Sequence, residues 1–242
     1  GGLFNRSAKS IKLTPQIKKM IGTQKQTMAP NDLIQALLKM KVDLFWNGGI
    51  GTYVKGSKES HLEVGDRAND SLRINGVELQ AKVVGEGGNL GLTHLGRIEF
   101  AAKGGRINAD FVDNAGGVDC SDNEVNIKIL LNGLVQNGDL TVKQRNKILY
   151  DMTDEVSDIV IEDCYRQTHS LSITELRGGS ALKEQAQFIT ELERSGKLDR
   201  ALEFIPSDEE IAERLALGKG LTRPELSVLL AYSKMVLKEE QD

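Results

Sequence analysis

Ala81-Lys82-Val83-Val84-Gly85-Glu86-Gly87-Gly88-Asn89-Leu90-Gly91 is the stretch whose reading decides the fold. The apolar run from Ala81 to Gly85 is too short for a stable helix and reads as a buried strand. It ends abruptly in a Gly/Asn loop, and a helix from about Leu92 to Lys103 follows, stopped by Gly104-Gly105. The same order occurs on either side. Val42 to Trp46, interrupted only by Asp43, runs into Asn47-Gly48-Gly49-Ile50-Gly51. Arg106 to Val112 runs into Asp113-Asn114-Ala115-Gly116-Gly117-Val118. Beyond it, Ser121 with Glu124 has the spacing of a capping box opening a helix with Ile127, Leu130, Leu131 and Leu134 on one face. Short apolar strands alternating with helices predict a mainly parallel sheet with helices packed on it, an α/β fold of the partial doubly wound, Rossmann-like kind. Ligands of such sheets bind beyond the carboxyl ends of the strands, where all three loops are expected.

Outward from this region the reading becomes helical. Thr14-Pro15 predicts a capped helix closed by Gly22, and Asn31 is placed as the cap of a helix through Met40. Thr141 with Gln144 opens a long helix carrying Leu149, Met152, Val156, Ile159 and Val160. Helices near Leu182 to Leu192 and from Ser207 to Leu217 follow, and Thr222 with Glu225 opens the last one. The expected organisation is therefore an α/β part over residues 1–138 and an all-helical segment over 139–242.

Composition narrows the function. The 242 residues carry 31 basic and 35 acidic side chains, a net charge of −4 that disfavours a nucleic-acid partner held by general electrostatics. The longest apolar stretches, such as Leu226 to Tyr232, fall far short of the ~20 residues of a membrane span. Two distant cysteines suggest no disulfide framework and a cytoplasmic setting. Three isolated histidines give no metal-ligand spacing. Cys120 reads as a buried thiol rather than a nucleophile, since no His stands near it in sequence. The Met-less start suggests a piece of something longer.

The loops themselves suggest a ligand. Glycine admits close approach to the backbone, and Asn offers a donor and an acceptor on a short arm. Such loops suit a polar, planar, sugar-bearing molecule, for example a nicotinamide dinucleotide. A hydroxyl from Ser121 at a helix N-terminus would suit a carboxylate or phosphate. The same residues are also ordinary in turns and caps. No G-x-G-x-x-G and no P-loop occurs. Glu86, Asp113, Asp119 and Asp122 are candidates for acid–base work, or simply strand-end and cap carboxylates.

Four motifs carry a resemblance. Arg6-Ser7-Ala8-Lys9-Ser10-Ile11, Phe45-Trp46-Asn47-Gly48-Gly49-Ile50-Gly51-Thr52-Tyr53, Val84 to Gly91, and Asp113 to Asp119 together resemble the large bacterial NAD-specific glutamate dehydrogenases. The resemblance covers residues 3 to 135 and continues into the helices. It implies oxidative deamination of L-glutamate to 2-oxoglutarate and ammonia, with NAD as cofactor, by a longer protein that is a homo-oligomer. It also implies that Asn114 lies beside the nicotinamide and substrate, and that Ser121 contacts the substrate α-carboxylate. Asn89, with Gly88, would meet the nicotinamide-side ribose. Asn47 and Gly48 fall where smaller glutamate dehydrogenases have a Pro-Cys-Ala loop, from which this sequence departs. The family's catalytic Lys, acid–base Asp and glycine fingerprint have no counterpart in these 242 residues, so no catalytic residue is assigned here. The chain alone is expected to be inactive, to bind NAD weakly, and to expose a sheet edge or pair it with another copy. Two alternatives stay open: a helical assembly or regulatory module of a large oligomer, and a free-standing dinucleotide-binding regulator.

Overall fold

The computed structural model describes residues 2–240. Strands β1 (Ile11–Lys12) and β2 (Thr27–Met28) pair antiparallel around helix α1 (Pro15–Ile21). Thr14 caps α1 by accepting the Ile17 amide at 3.3 Å, and Gly22 closes it in the left-handed region. Helix α2 (Pro30–Leu38) begins behind Ala29, because proline itself takes the first helical position. Asn31 is therefore not its cap, and its amide instead donates to Ser71 Oγ at 2.7 Å.

Strand β3 (Leu44–Asn47) follows, then β4 (Val54–Lys55), the short helix α3 (His61–Val64) and β5 (Ile74–Asn75), with β4 and β5 forming a small parallel pair. Strand β6 (Val83–Glu86), helix α4 (His94–Ala102) and strand β7 (Arg106–Ile107) complete a three-stranded parallel sheet in the order β3-β6-β7. Its register places Leu44 opposite Val83, Asn47 opposite Glu86, and Val84 opposite Ile107. One face, with Phe45, Val84 and Ile107, packs into a core with Leu38, Ile74, Leu92 and Phe100. The other face is open, with Leu44 56% and Trp46 59% exposed. Parallel sheets are ordinarily covered on both faces. The Trp46 indole lies flat on this one, over Gly85 and Gly87, where a Cβ would come within 2.7 and 2.8 Å of it.

The expected α/β fold with a small parallel sheet followed by helices is present, but its third unit differs. Strand β7 ends at Ile107, and Asp110–Asp113 forms helix α5. Helix α6 (Ala115–Gln136) starts directly after Asn114, so Ala115-Gly116-Gly117 is helical and not a loop. The physical cause lies in tertiary contacts. Asp110 accepts the Leu90 amide and pairs with Arg97, while Asp113 accepts the Glu86 amide, which holds the segment in a tight turn against β6. Ser121 and Glu124 consequently sit inside α6 and make no capping box.

The remaining helices are α7 (Val142–Asp151), α8 (Thr153–Arg177), α9 (Leu182–Arg194), α10 (Asp208–Ala216) and α11 (Arg223–Glu239). The capping boxes at Thr141, Ser207 and Thr222 are all formed. The long helix expected after Thr141 is two helices, broken at Met152. Leu171, Leu182, Ile189, Leu192, Ile211, Leu226 and Leu229 build a second core, which Val112 of α5 joins.

Candidate functional site

Two loops meet at the carboxyl ends of β3 and β6. Asn47, the last residue of β3, is buried, and its carbonyl accepts the Gly87 and Gly88 amides at 2.9 and 3.2 Å. The close approach needs glycine. A Cβ on Gly88 would stand 2.7 Å from the Gly49 carbonyl oxygen, and one on Gly91 would stand 1.6 Å from Asn47 Nδ2. Between them Leu90 adopts φ +56, uncommon for a residue with a side chain. Its amide donates to Asp110 at 2.8 Å and its carbonyl accepts from Thr52 Oγ1 at 2.7 Å, so both polar groups of the strained residue are tied down.

Beneath the loop lies a buried ion pair. Arg97 Nε donates to Glu86 Oε2 at 2.6 Å and Nη2 to Oε1 at 3.1 Å, while Glu86 Oε1 also accepts the Leu92 amide at 3.1 Å. Arg97 reaches Asp110 as well, at 3.0 Å. Burial pushes the Glu86 carboxyl above the usual carboxylate range, with the Arg97 guanidinium pulling the other way. Asp113 is likewise raised by burial, opposed by its bonds from the Asn108 amide and the Glu86 backbone. Of the four carboxylates considered for acid–base work, these two are thus engaged in holding the loops. Asp119 and Asp122 lie on α6, where they line a cleft of about 580 Å³ against α8 and α11.

Asn114 stands at the junction of α5 and α6. It serves as the residue before the first turn of α6 but makes no cap bond, because its amide is turned outward. That amide donates to the Gly88 carbonyl at 3.0 Å and to Asn89 Oδ1. The structure therefore brings Asn47, Gly48, Gly88, Asn89 and Asn114 to one rim. Among the described residues, neither Asn89 Nδ2 nor Asn114 Oδ1 has a protein partner, which leaves a donor and an acceptor for a ligand. Ser121 is not at this rim and not at a helix N-terminus. It lies two turns along α6 from Asn114 on the same exposed face, about 10 Å along the axis. On that face between them, a Cβ on Gly117 would meet nothing within 4 Å. Cys120 is exposed, not buried.

Sequence reasoning missed Arg97, Asp110, Asn108 and Arg223. Arg97 carried a usable signal: it shares a helical face with buried Phe100, and a charge on an apolar face calls for a partner. No group of His, Cys, Asp and Glu among the described residues is arranged to hold a metal ion. No described helix is long and apolar enough to cross a membrane.

A family model described as "Bacterial NAD-glutamate dehydrogenase, catalytic domain" matches residues 1–174, and one described as "Glutamate dehydrogenase, C-terminal" matches residues 218–241. The chain is 61% identical to an NAD-specific glutamate dehydrogenase of Halomonas elongata over 98% of its length, and 61% identical to one of Pseudomonas aeruginosa over 99%. It is 47% identical to one of Mycobacterium tuberculosis over 99%. It spans about 15% of the length of each of these relatives.

Proposed function

This chain belongs to the bacterial NAD-specific glutamate dehydrogenase family, and from that premise we propose that its strand-end rim forms one wall of the site where NAD and L-glutamate meet in the longer protein. The reaction is the oxidative deamination of L-glutamate to 2-oxoglutarate and ammonia. When bound, NAD supplies the hydride acceptor. In this reading Asn89 and Gly88 hold the ribose beside the nicotinamide, with Asn47 and Gly48 lining the opposite loop. Asn114 orients the nicotinamide and substrate through its free carbonyl, and Ser121 receives the substrate α-carboxylate. The observation that carries the reading is the shared open face of Asn114, Gly117 and Ser121. Glycine inside a helix costs about 1 kcal/mol relative to Ala. Gly117, between Asn114 and Ser121, leaves that face without a Cβ and open to a ligand lying against the helix.

The loops fit a nicotinamide dinucleotide in part. They offer amide donors and acceptors for a ribose and a carboxamide, and glycines where a flat ring could approach. They offer no pyrophosphate fingerprint. Weak NAD affinity of the 242-residue chain and no NADH from chain, glutamate and NAD together are therefore expected; rapid NADH formation would overturn this division of labour. In a full-length dehydrogenase carrying this segment, Asn114→Ala and Ser121→Ala should each abolish most turnover with assembly intact. Unchanged turnover would sink the reading. The cytoplasm and a homo-oligomer are the proposed setting of the longer protein.

A second reading concerns the helices. Tyr150 on α7 and Ile161 and Leu176 on α8 are all strongly exposed. Such residues suit an assembly role for the segment after Gly138. Truncation after Asn137 should then alter oligomerisation of the longer protein, and an unchanged mass would exclude it.

A further inference from the structure

Four of the donors on one side chain of the helical segment are spent beside the candidate site. Arg223, first residue of α11, sends Nε to Asn108 Oδ1, Nη1 to Ser172 Oγ at 3.1 Å and to Glu175 Oε2 at 3.1 Å, and Nη2 to the Thr168 carbonyl at 3.0 Å. The guanidinium fork is rigid, so these bonds fix α8, α11 and the end of β7 relative to one another. The bond to Asn108 has a further effect. With its carbonyl oxygen claimed by Arg223, the Asn108 amide must face the other way, and it donates to Asp113 Oδ1 at 2.6 Å. Asp113 Oδ2 then accepts the Glu86 amide at 2.9 Å, at the base of the Gly/Asn loop. The next residue is Asn114, whose amide bridges to Gly88 and Asn89.

We propose that Arg223 is a positioning residue: through Asn108 and Asp113, the C-terminal helices set the placement of loop 86–91 and of Asn114. The inference rests on the reading of that rim as a cofactor site only for its catalytic consequence. The tether itself is structural and is tested separately. Each link joins groups far apart in sequence or anchors a turn, and each uses a charged or fixed-orientation partner, so slack at one bond passes to the next. The helical segment is then part of the site's scaffold and not only a covering layer.

The test has two arms. In the 242-residue chain, backbone amide exchange is measured for Arg223→Lys, Asn108→Asp and Glu175→Gln. Arg223→Lys keeps a cation beside Glu175 but loses the fork. Asn108→Asp keeps an acceptor for Arg223 but cannot donate to Asp113. Both should speed exchange at Glu86 and Leu90 by about tenfold, the effect of losing one charge-assisted bond, while protection in α9 and α10 stays unchanged. Glu175→Gln leaves the Asn108 contact and should leave the loop as it was. Unchanged loop exchange in the first two variants, or an equal loss of protection everywhere, overturns the tether. In the second arm, a full-length family dehydrogenase with Arg223→Lys should show a KM for NAD raised severalfold and a smaller change in kcat. Faster loop exchange with an unaltered KM would reject the cofactor role of Asn89 and Asn114 and leave the tether standing.

Discussion

Arg97 grips Glu86 with two parallel hydrogen bonds, at 2.6 and 3.1 Å, and the two side chains are only 3% and 0% exposed. A pair so placed is not itself a strong source of stability, because both charges have left water. Its value is orientation: Glu86 ends β6 and holds the Leu92 amide, while Arg97 also reaches Asp110, which holds Leu90.

Breaking one partner should therefore be costly. Glu86→Gln leaves the buried guanidinium with Asp110 as its remaining counter-charge and is expected to destabilise the chain by about 3 kcal/mol. The paired replacement Glu86→Leu with Arg97→Met should cost much less. Urea unfolding of the two variants checks this; a loss under about 1 kcal/mol for Glu86→Gln would show that the pair is not an anchor.

Gly117 gives a contrast between stability and activity. With nothing within 4 Å of a Cβ there, Gly117→Ala should stabilise α6 by up to about 1 kcal/mol. In a full-length dehydrogenase of the family the same change should lower turnover. A variant that is both more stable and fully active would remove the main support for a ligand on this face.

His94 predicts a pH dependence. Burial, and then the Arg97 charge, hold its imidazole down to about 4 from 6.5, against the opposite pull of Glu225 and Asp110. Between those values the unfolded chain takes up a proton that the folded chain refuses. Stability is thus full above about pH 6.5 and declines as pH falls toward 4, by about 3 kcal/mol. Glu86 and Asp113, raised by burial, act in the opposite sense as pH rises above the ordinary carboxylate range. The readout is therefore the difference between the parent chain and His94→Phe, which should keep the contact with Phe204 and lose this acid sensitivity. Parallel stability curves for the two would sink the assignment.

The open sheet face should make the chain self-associate. Leu44→Lys places a charge on an exposed edge strand, so stability should stay within about 0.5 kcal/mol while association at high concentration falls. Sedimentation at rising concentration checks both chains; equal association would place the sticky surface elsewhere.

Strands β3 and β6 and their loops were legible because an apolar run ending in Gly/Asn admits few structures. The third unit misled because Asp110 read locally as part of a strand, and Asp113 and Asn114 as a loop. Only the fold shows that their side chains are claimed by Arg97, Leu90, Asn108, Glu86 and Gly88. The capping box at Thr141 succeeded and that at Ser121 failed with comparable sequence spacing. At Ser121 the helix already runs six residues upstream. Arg223 was invisible in sequence since its Asn108 partner lies 115 residues away.

Trp46 is the only tryptophan of the 242 residues, and it rests on Gly85 and Gly87 beside Gly48. A reduced nicotinamide absorbs where an indole emits, so a dinucleotide seated on the rim would drain light from this ring by energy transfer. The chain thus carries an intrinsic optical gauge at the mouth of its own loops. Dimming of that single emitter on adding NADH, and its loss on blocking the mouth with Gly88→Val, would report occupancy without a label or any turnover.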